Sequence, residues 1–382
     1  MYWCRLYAAI VLFPALVSSA PVPRAYLGLN TTLLRLVRDN AVNISTHSWE
    51  NGTLAEALTE AEWPRLTPYM PVSIFPPARL PWWENAFDVL SIAETTIDQK
   101  ANGTLPLANG EGSVGDPASL GQAVLLYNWT RADLNDTRFS TAAGDQLGYL
   151  LNNAPRAPSG AISHRVSDVE LWADFVYMAP PFIAYFGALQ NDSGGLAILQ
   201  IAYDQIRLYR DALFDADASL WRHIALSSSN DTGHWATGNA WAAAGMMRVW
   251  AIINHSSFSS QMQPQKNNLT QWIDEILTGV WKYQQSNGTL LNYVDQPDSF
   301  ADSSSTALLA ATTFRYSLLT YDGKHDTAAL QALSLVWQSI DKNGWLLNTV
   351  DPEAWTQPTQ NGTHSPEGQS FVLLLAAAWA AF

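Results

Sequence analysis

Two kinds of apolar pattern alternate along this chain. In the first, hydrophobic residues recur at three- and four-residue steps. Leu269, Trp272, Ile273, Ile276, Leu277, Val280 and Trp281 form one such stripe, and Ala329, Leu330, Leu333, Val336, Trp337 and Ile340 another. That spacing predicts amphipathic helices, and residues 26–39, 83–100, 137–152 and 195–214 read the same way. The second pattern is a polar mouth followed by a body that is apolar or small all round, which predicts a buried helix. The mouths fall at Glu50, Asp116, Asp174, Asn239, Asp302 and Glu367, spaced by 66, 58, 65, 63 and 65 residues. No stretch sustains the alternation of a strand.

Buried and covering helices at a steady period read as repeated helical hairpins, which bury their apolar faces only against neighbours. Six of them closing a ring give an all-α fold, an (α/α)6 barrel, expected as one domain over residues 21–382. If the inner helices run in parallel, their N-termini gather at one end, where unpaired N–H groups favour anions. Pro/Gly-rich stretches at residues 64–81, 102–117 and 155–164 read as connections at the rims. The apolar run 371–382 is too short to span a bilayer and reads as a last inner helix.

The stretch 171–187, LWADFVYMAPPFIAYFG, is the most informative. Asp174 stands beside Trp172 at the head of an apolar element, as a helix cap or as a catalytic acid. Pro180–Pro181 predicts that regular helix is interrupted or restarts there. Asp116 is the carboxylate to pair with it, since two acids in different environments can hold different protonation states. Trp172, Trp235 and Trp241 at barrel mouths offer flat faces to sugar rings or fill the core. His164 and His223 are candidate hydrogen-bond donors to a substrate, or structural.

Composition narrows the classes. A chain of 382 residues that is 48% hydrophobic can bury a large core, and a net charge of −14 argues against nucleic acid or an anionic membrane as partner. Residues 1–20 read as a secretory signal peptide containing the only cysteine, Cys4. The mature chain then has no disulfide and no thiolate metal site. Asn30, Asn43, Asn51, Asn102, Asn128, Asn135, Asn191, Asn230, Asn254, Asn268, Asn287 and Asn361 all open Asn-X-Ser/Thr. An N-glycosylated, extracellular protein of eukaryotic, fungal-like type is expected. Nucleotide-loop, dinucleotide and zinc-peptidase signatures are missing, and Asp215-Ala-Asp217 reads as a turn rather than a calcium loop.

Taken in order, SWENGTLAEAL, GDPASLGQAVLL, SHR before ELWADFVYMAPPFIAYFG, LWRHI, HWATGNAWAAAGMMRVW, DSSSTALLAA and EGQSFVLLLAAAW resemble glycoside hydrolase family 105. That family comprises the unsaturated rhamnogalacturonyl hydrolases and is related to the family 88 unsaturated glucuronyl hydrolases. The resemblance covers nearly the whole mature chain and implies the same ring of six hairpins. It implies a substrate with a non-reducing uronic acid carrying a C4=C5 double bond, left by a polysaccharide lyase. It further implies hydration of that bond without cofactor or metal, with Asp174 as general acid/base, Trp172 and Met178 beside it, and Asp116 as second aspartate. His164, His223, Trp235 and Trp241 fall where substrate contacts are expected. One position departs: the family pattern is Trp-Ala-Arg-Gly-Asn-Gly-Trp, and here Thr237 replaces the arginine and Ala240 the second glycine. Threonine cannot grip a carboxylate as arginine does, so Arg165, Arg222 and His234 are candidate substitutes. A carbohydrate-binding relative without catalysis and a hydrolase of saturated glycosides remain alternatives. Oligomeric state is not legible.

Overall fold

Each polar-mouthed segment becomes a helix enclosed on every side. The computed structural model describes residues 30–70, 75, 79–81, 84–228 and 230–382; the expected signal peptide lies outside them. In chain order the helices are α1 (Thr31–Ile44), α2 (Ser48–Glu62), α3 (Phe87–Gln99), α4 (Asp116–Ser119), α5 (Gly121–Thr130), α6 (Arg138–Gly148) and α7 (Phe175–Met178). They continue as α8 (Pro180–Gln190), α9 (Ser193–Leu213), α10 (Ala236–His255), α11 (Gln263–Trp281), α12 (Ser303–Thr320), α13 (Asp326–Gln338) and α14 (Pro366–Ala381).

The inner ring is α2, α4–α5, α7–α8, α10, α12 and α14. Each packs on the next, and α14 returns to α2, closing the barrel. Every residue of α10 from Ala236 to Ile253 and of α12 from Ser303 to Ser317 is buried. The outer helices α1, α3, α6, α9, α11 and α13 bury single stripes instead. In α11 these are Leu269, Trp272, Ile273, Ile276, Leu277 and Val280 beside Lys266 and Gly279, so the periodicity is satisfied on one face. Closure of the ring leaves no hairpin with an open apolar side.

Two inner elements are broken. A short helix ends at Met178, and Pro180, lacking an N–H, starts the next. Leu120, whose N–H donates to the Ala118 carbonyl, separates α4 from α5. Where α10 meets this break, a Cβ on Gly245 would lie 2.2 Å from the Val176 carbonyl oxygen, so only glycine permits the approach. Among the described residues strands are limited to short antiparallel pairs at the rim, such as Leu171–Trp172 with Ile224–Ala225 and Val350–Asp351 with Ala354–Pro358. Asp215 and Asp217 form the expected turn, with the Asp217 N–H donating to Asp215 Oδ1 at 3.1 Å. Among the described residues no helix is long and apolar enough to cross a membrane.

Candidate active site

The rim pairing places the central aspartate. Trp172 pairs with Ile224, and the Ala173 N–H donates to the His223 carbonyl at 2.9 Å. This sets Asp174 against the His223 ring, with Asp174 Oδ2 3.5 Å from His223 Nε2. Asp174 precedes α7, yet its side chain makes no capping hydrogen bond, so its carboxylate is free for other work. The other side of His223 is held by Asp231, whose Oδ2 lies 3.0 Å from His223 Nδ1. Asp231 Oδ2 also accepts from the Tyr293 hydroxyl at 2.7 Å and the Trp355 indole at 3.2 Å.

These contacts fix charge. Burial alone would deprotonate His223, but the carboxylates on either side outweigh it and raise its pKa. Burial likewise works against Asp231, yet His223 and Tyr293 bring it down to about 2. Asp174 is buried too, but the neighbouring His223 outweighs burial and holds it below the ordinary carboxylate range. Asp116 has the opposite fate. At the first turn of α4, 9% exposed, it is pushed up to about 7 by burial, with Ser113 opposing and the Asp174 charge adding to the shift. Near neutral pH Asp174 is therefore ionised while Asp116 still holds part of its proton.

Asp116, Asp174, His164, Trp172, Met178 and Trp235 line one cavity of about 260 Å3, about the room for one sugar ring. Trp172 stacks on His164 at 4.9 Å and meets His223 and Trp355 edge-on at 5.4 and 5.5 Å. Burial takes His164 down to about 4, so its imidazole is neutral. Across the cavity the Trp49 indole donates to Glu367 Oε1 at 2.8 Å. Burial, then the nearby Glu50 and Asp174 charges, hold Glu367 well above its ordinary value. At the rim His47 bridges Glu111 at 2.8 Å and Glu353 at 3.0 Å, both of which line the cavity. A larger cavity of about 550 Å3 lies among α1, α2 and α3, but neither aspartate nor any tryptophan lines it.

The nine expected residues thus divide. Six meet in the cavity wall, and His223 stands behind Asp174 as its charged partner. Thr237 and Trp241 do not line this cavity. Thr237 is fully enclosed and donates to Asp302 Oδ2 at 3.1 Å. Trp241, one turn deeper on α10, packs between Tyr177 and Phe371 at 4.4 and 4.7 Å. Of the polar mouths, Glu50 caps α2 through the Thr46 and His47 N–H groups, Asp302 caps α12, and Asn239 clamps the Trp221 and Trp235 backbone. Trp49, Trp355, Glu111 and Glu353 were not anticipated. Trp49-Glu50 repeats the tryptophan-plus-acid signal of the Trp172 stretch, whereas Trp355 lies in the short rim strand Ala354–Pro358, which no sustained alternation reveals.

The model for Glycosyl Hydrolase Family 88 matches residues 83–377. The chain belongs to glycosyl hydrolase family 88. It is a glycoside hydrolase, and its barrel is the six-hairpin fold of its structural neighbours. The family 88 chain is 25% identical to the unsaturated rhamnogalacturonyl hydrolase YesR of Bacillus subtilis over 272 residues, 67% of this chain and 71% of YesR. A possible member of family 105 from Salmonella enterica serovar Paratyphi A superposes with a TM-score of 0.73 at 17% identity, over 97% of this chain and 99% of that one. An unsaturated glucuronyl hydrolase specific for heparin gives 0.63 at 12% identity, over 94% and 97%.

Proposed function

We propose that this family 88 protein releases a 4,5-unsaturated uronic acid from the non-reducing end of lyase-cut oligosaccharides of the rhamnogalacturonan type, outside the cell. The observation that carries the reading is the Asp116–Asp174 pair in one tryptophan-walled cavity, with burial pushing the first pKa up and His223 drawing the second down. The name of YesR supports the substrate class.

Hydrating a vinyl ether needs a proton donor at C4 and an acceptor for the proton of the attacking water. Asp116 gives its proton to C4, leaving an oxocarbenium centre at C5. Asp174, kept ionised by His223, takes a proton from water as its oxygen bonds to C5. The resulting hemiketal opens and the glycosidic bond breaks, with no cofactor in the balance. This divides between two residues the acid/base role that the resemblance gives to Asp174 alone.

The test is loss of the ultraviolet absorbance of the C4=C5 bond when the protein meets an unsaturated rhamnogalacturonan disaccharide. Binding without loss favours a non-catalytic carbohydrate binder. Turnover of saturated chromogenic glycosides without it favours an ordinary glycosidase. Activity is expected to fall as pH rises through about 7, where Asp116 loses its proton. Asp116→Asn should lower kcat by about 10²–10³-fold and remove that limb; a limb that persists places it on another group.

Secretion makes a separate prediction. Asn102, Asn135, Asn191, Asn230, Asn287 and Asn361 are exposed and are expected to carry glycans. Asn51 and Asn268 are half-buried, and their side-chain amides donate to the His47 carbonyl at 3.0 Å and to the Tyr203 hydroxyl at 2.6 Å. They should stay unmodified in glycopeptide maps of protein expressed in a eukaryotic secretory host. Full occupancy at Asn51 or Asn268 would contradict these packed positions.

A further inference from the structure

A uronic acid must bring its own carboxylate into a cavity already crowded with acids. Glu111, Asp116, Asp174, Glu353 and Glu367 all line it, and among the described residues Arg165 is the one lysine or arginine in its wall. Glu111 and Glu353 are engaged by His47, and Asp174 faces His223. Among the described residues Arg165 has no carboxylate partner. The hydrogen bond its guanidinium makes is from Nη2 to the Glu111 carbonyl, at 3.4 Å. A guanidinium has five donors in a planar fork that matches a carboxylate, so most of this one is uncommitted.

The arginine is also well placed. Its backbone N–H donates to Ser163 Oγ at 3.1 Å, and its neighbours pair with the loop leading to Asp116. The Val166 N–H donates to the Gly112 carbonyl at 2.9 Å, and the Val114 N–H to the His164 carbonyl at 2.7 Å. The guanidinium carbon stands 5.8 Å from the centre of the Trp172 ring. Gly112, at φ +88°, leaves the space: a Cβ there would lie 2.7 Å from Arg165 Nη2. The other two candidates are occupied outside the wall, Arg222 by Asp215 at 2.6 Å and His234 by Asp295 at 2.7 Å.

We propose that Arg165 grips the carboxylate of the terminal uronic acid and sets the preference of this enzyme for uronyl over neutral sugars. The inference rests on the uronyl-hydrolase reading above and names the residue that reading leaves open. With the carboxylate on the guanidinium and the ring over Trp172, the sugar is oriented toward Asp116 and Asp174. Lysine would keep the charge and lose the bidentate fork; methionine would keep the bulk and lose both.

The experiment compares wild type, Arg165→Lys and Arg165→Met on an unsaturated galacturonyl–rhamnose disaccharide and on its methyl ester. Calorimetric titration with galacturonate and with galactose runs in parallel. Wild type should prefer the free acid. Arg165→Met should lose on the order of 10²-fold in kcat/KM on the acid, chiefly through KM, and its acid-to-ester ratio should collapse toward one. Arg165→Lys should lose about tenfold. A ratio that survives in Arg165→Met, with both substrates slowed alike, would mean that the arginine only props Trp172, and the inference falls while the function stands. If wild type consumes neither substrate, the hydrolase reading falls. Arg165 is then judged by titration: galacturonate binding that is lost in Arg165→Met sustains it, and unchanged or absent binding overturns it.

Discussion

Asp174→Asn is expected to lower kcat on the unsaturated disaccharide by about 10³–10⁴-fold, leaving the fold and the cavity unchanged. Asparagine has the shape of aspartate, so the walls contributed by Trp172, Trp235 and Met178 stay in place. What disappears is the one ionised carboxylate of the catalytic pair. An amide cannot take the proton of the attacking water. The loss also reaches His223, which would keep Asp231 at 3.0 Å but face a neutral amide on its other nitrogen. Its pKa should then fall, because burial opposes the cation and half of the compensating charge is gone. Asp231→Asn, by contrast, leaves Asp174 ionisable and should cost less than Asp174→Asn. Absorbance loss under single-turnover conditions, with circular dichroism as a check on folding, measures both. Asp174→Asn within tenfold of wild type would end the proposed mechanism.

The fold was legible because a barrel of hairpins writes itself into hydrophobic periodicity. Stripes such as Leu269–Val280 mark an outer helix, and nearly all-apolar or small-residue bodies such as Ala236–Ile253 mark an inner one. The site was legible only in part, because a polar residue at a helix mouth looks the same whether it caps the helix or faces a ligand. Asp302 and Asp174 have the same position in their repeats. Asp302 accepts from the Ser304 and Ser305 N–H groups, whereas Asp174 caps nothing. Only the backbone at each mouth distinguishes them. Trp241 shows the same limit from the other side: six residues beyond Trp235, it lies a turn below the reach of the cavity. Trp355 and Glu353 come to the wall on a short rim hairpin, Val350–Asp351 with Ala354–Pro358, whose path no sustained periodicity describes.

A buried set of charges elsewhere in the barrel should govern stability as Asp174 governs turnover. Arg248, 3% exposed on α10, donates to Glu56 on α2 at 3.2 Å, to Gln122 on α5 at 2.9 Å and to the Tyr177 carbonyl on α7 at 3.4 Å. Its guanidinium also lies 4.5 Å from the centre of the Tyr177 ring. Gln122 returns a hydrogen bond to Glu56 at 2.8 Å, and Arg315 on α12 holds Glu60 at 2.7 Å. Arg248→Met keeps the bulk but strands Glu56 in the core. It is expected to destabilise the protein by about 3–5 kcal/mol, since an uncompensated buried charge costs more than the pair was worth. Adding Glu56→Gln should recover part of the loss by removing the stranded charge. The deficit should also grow with pH. Burial holds the Glu60 carboxyl above its ordinary range against the pull of Arg315, and Arg248 is one of the charges that pull it down. A carboxyl whose pKa is raised by folding favours the native state below its unfolded pKa, and loses that advantage as pH rises through the folded value. Without Arg248 the folded value rises further, so the loss continues to higher pH. Urea unfolding of wild type, Arg248→Met and the double variant at acidic and alkaline pH reads these terms directly. An Arg248→Met deficit below about 1 kcal/mol would mean that water reaches Glu56 and that the charges do not bind the ring together.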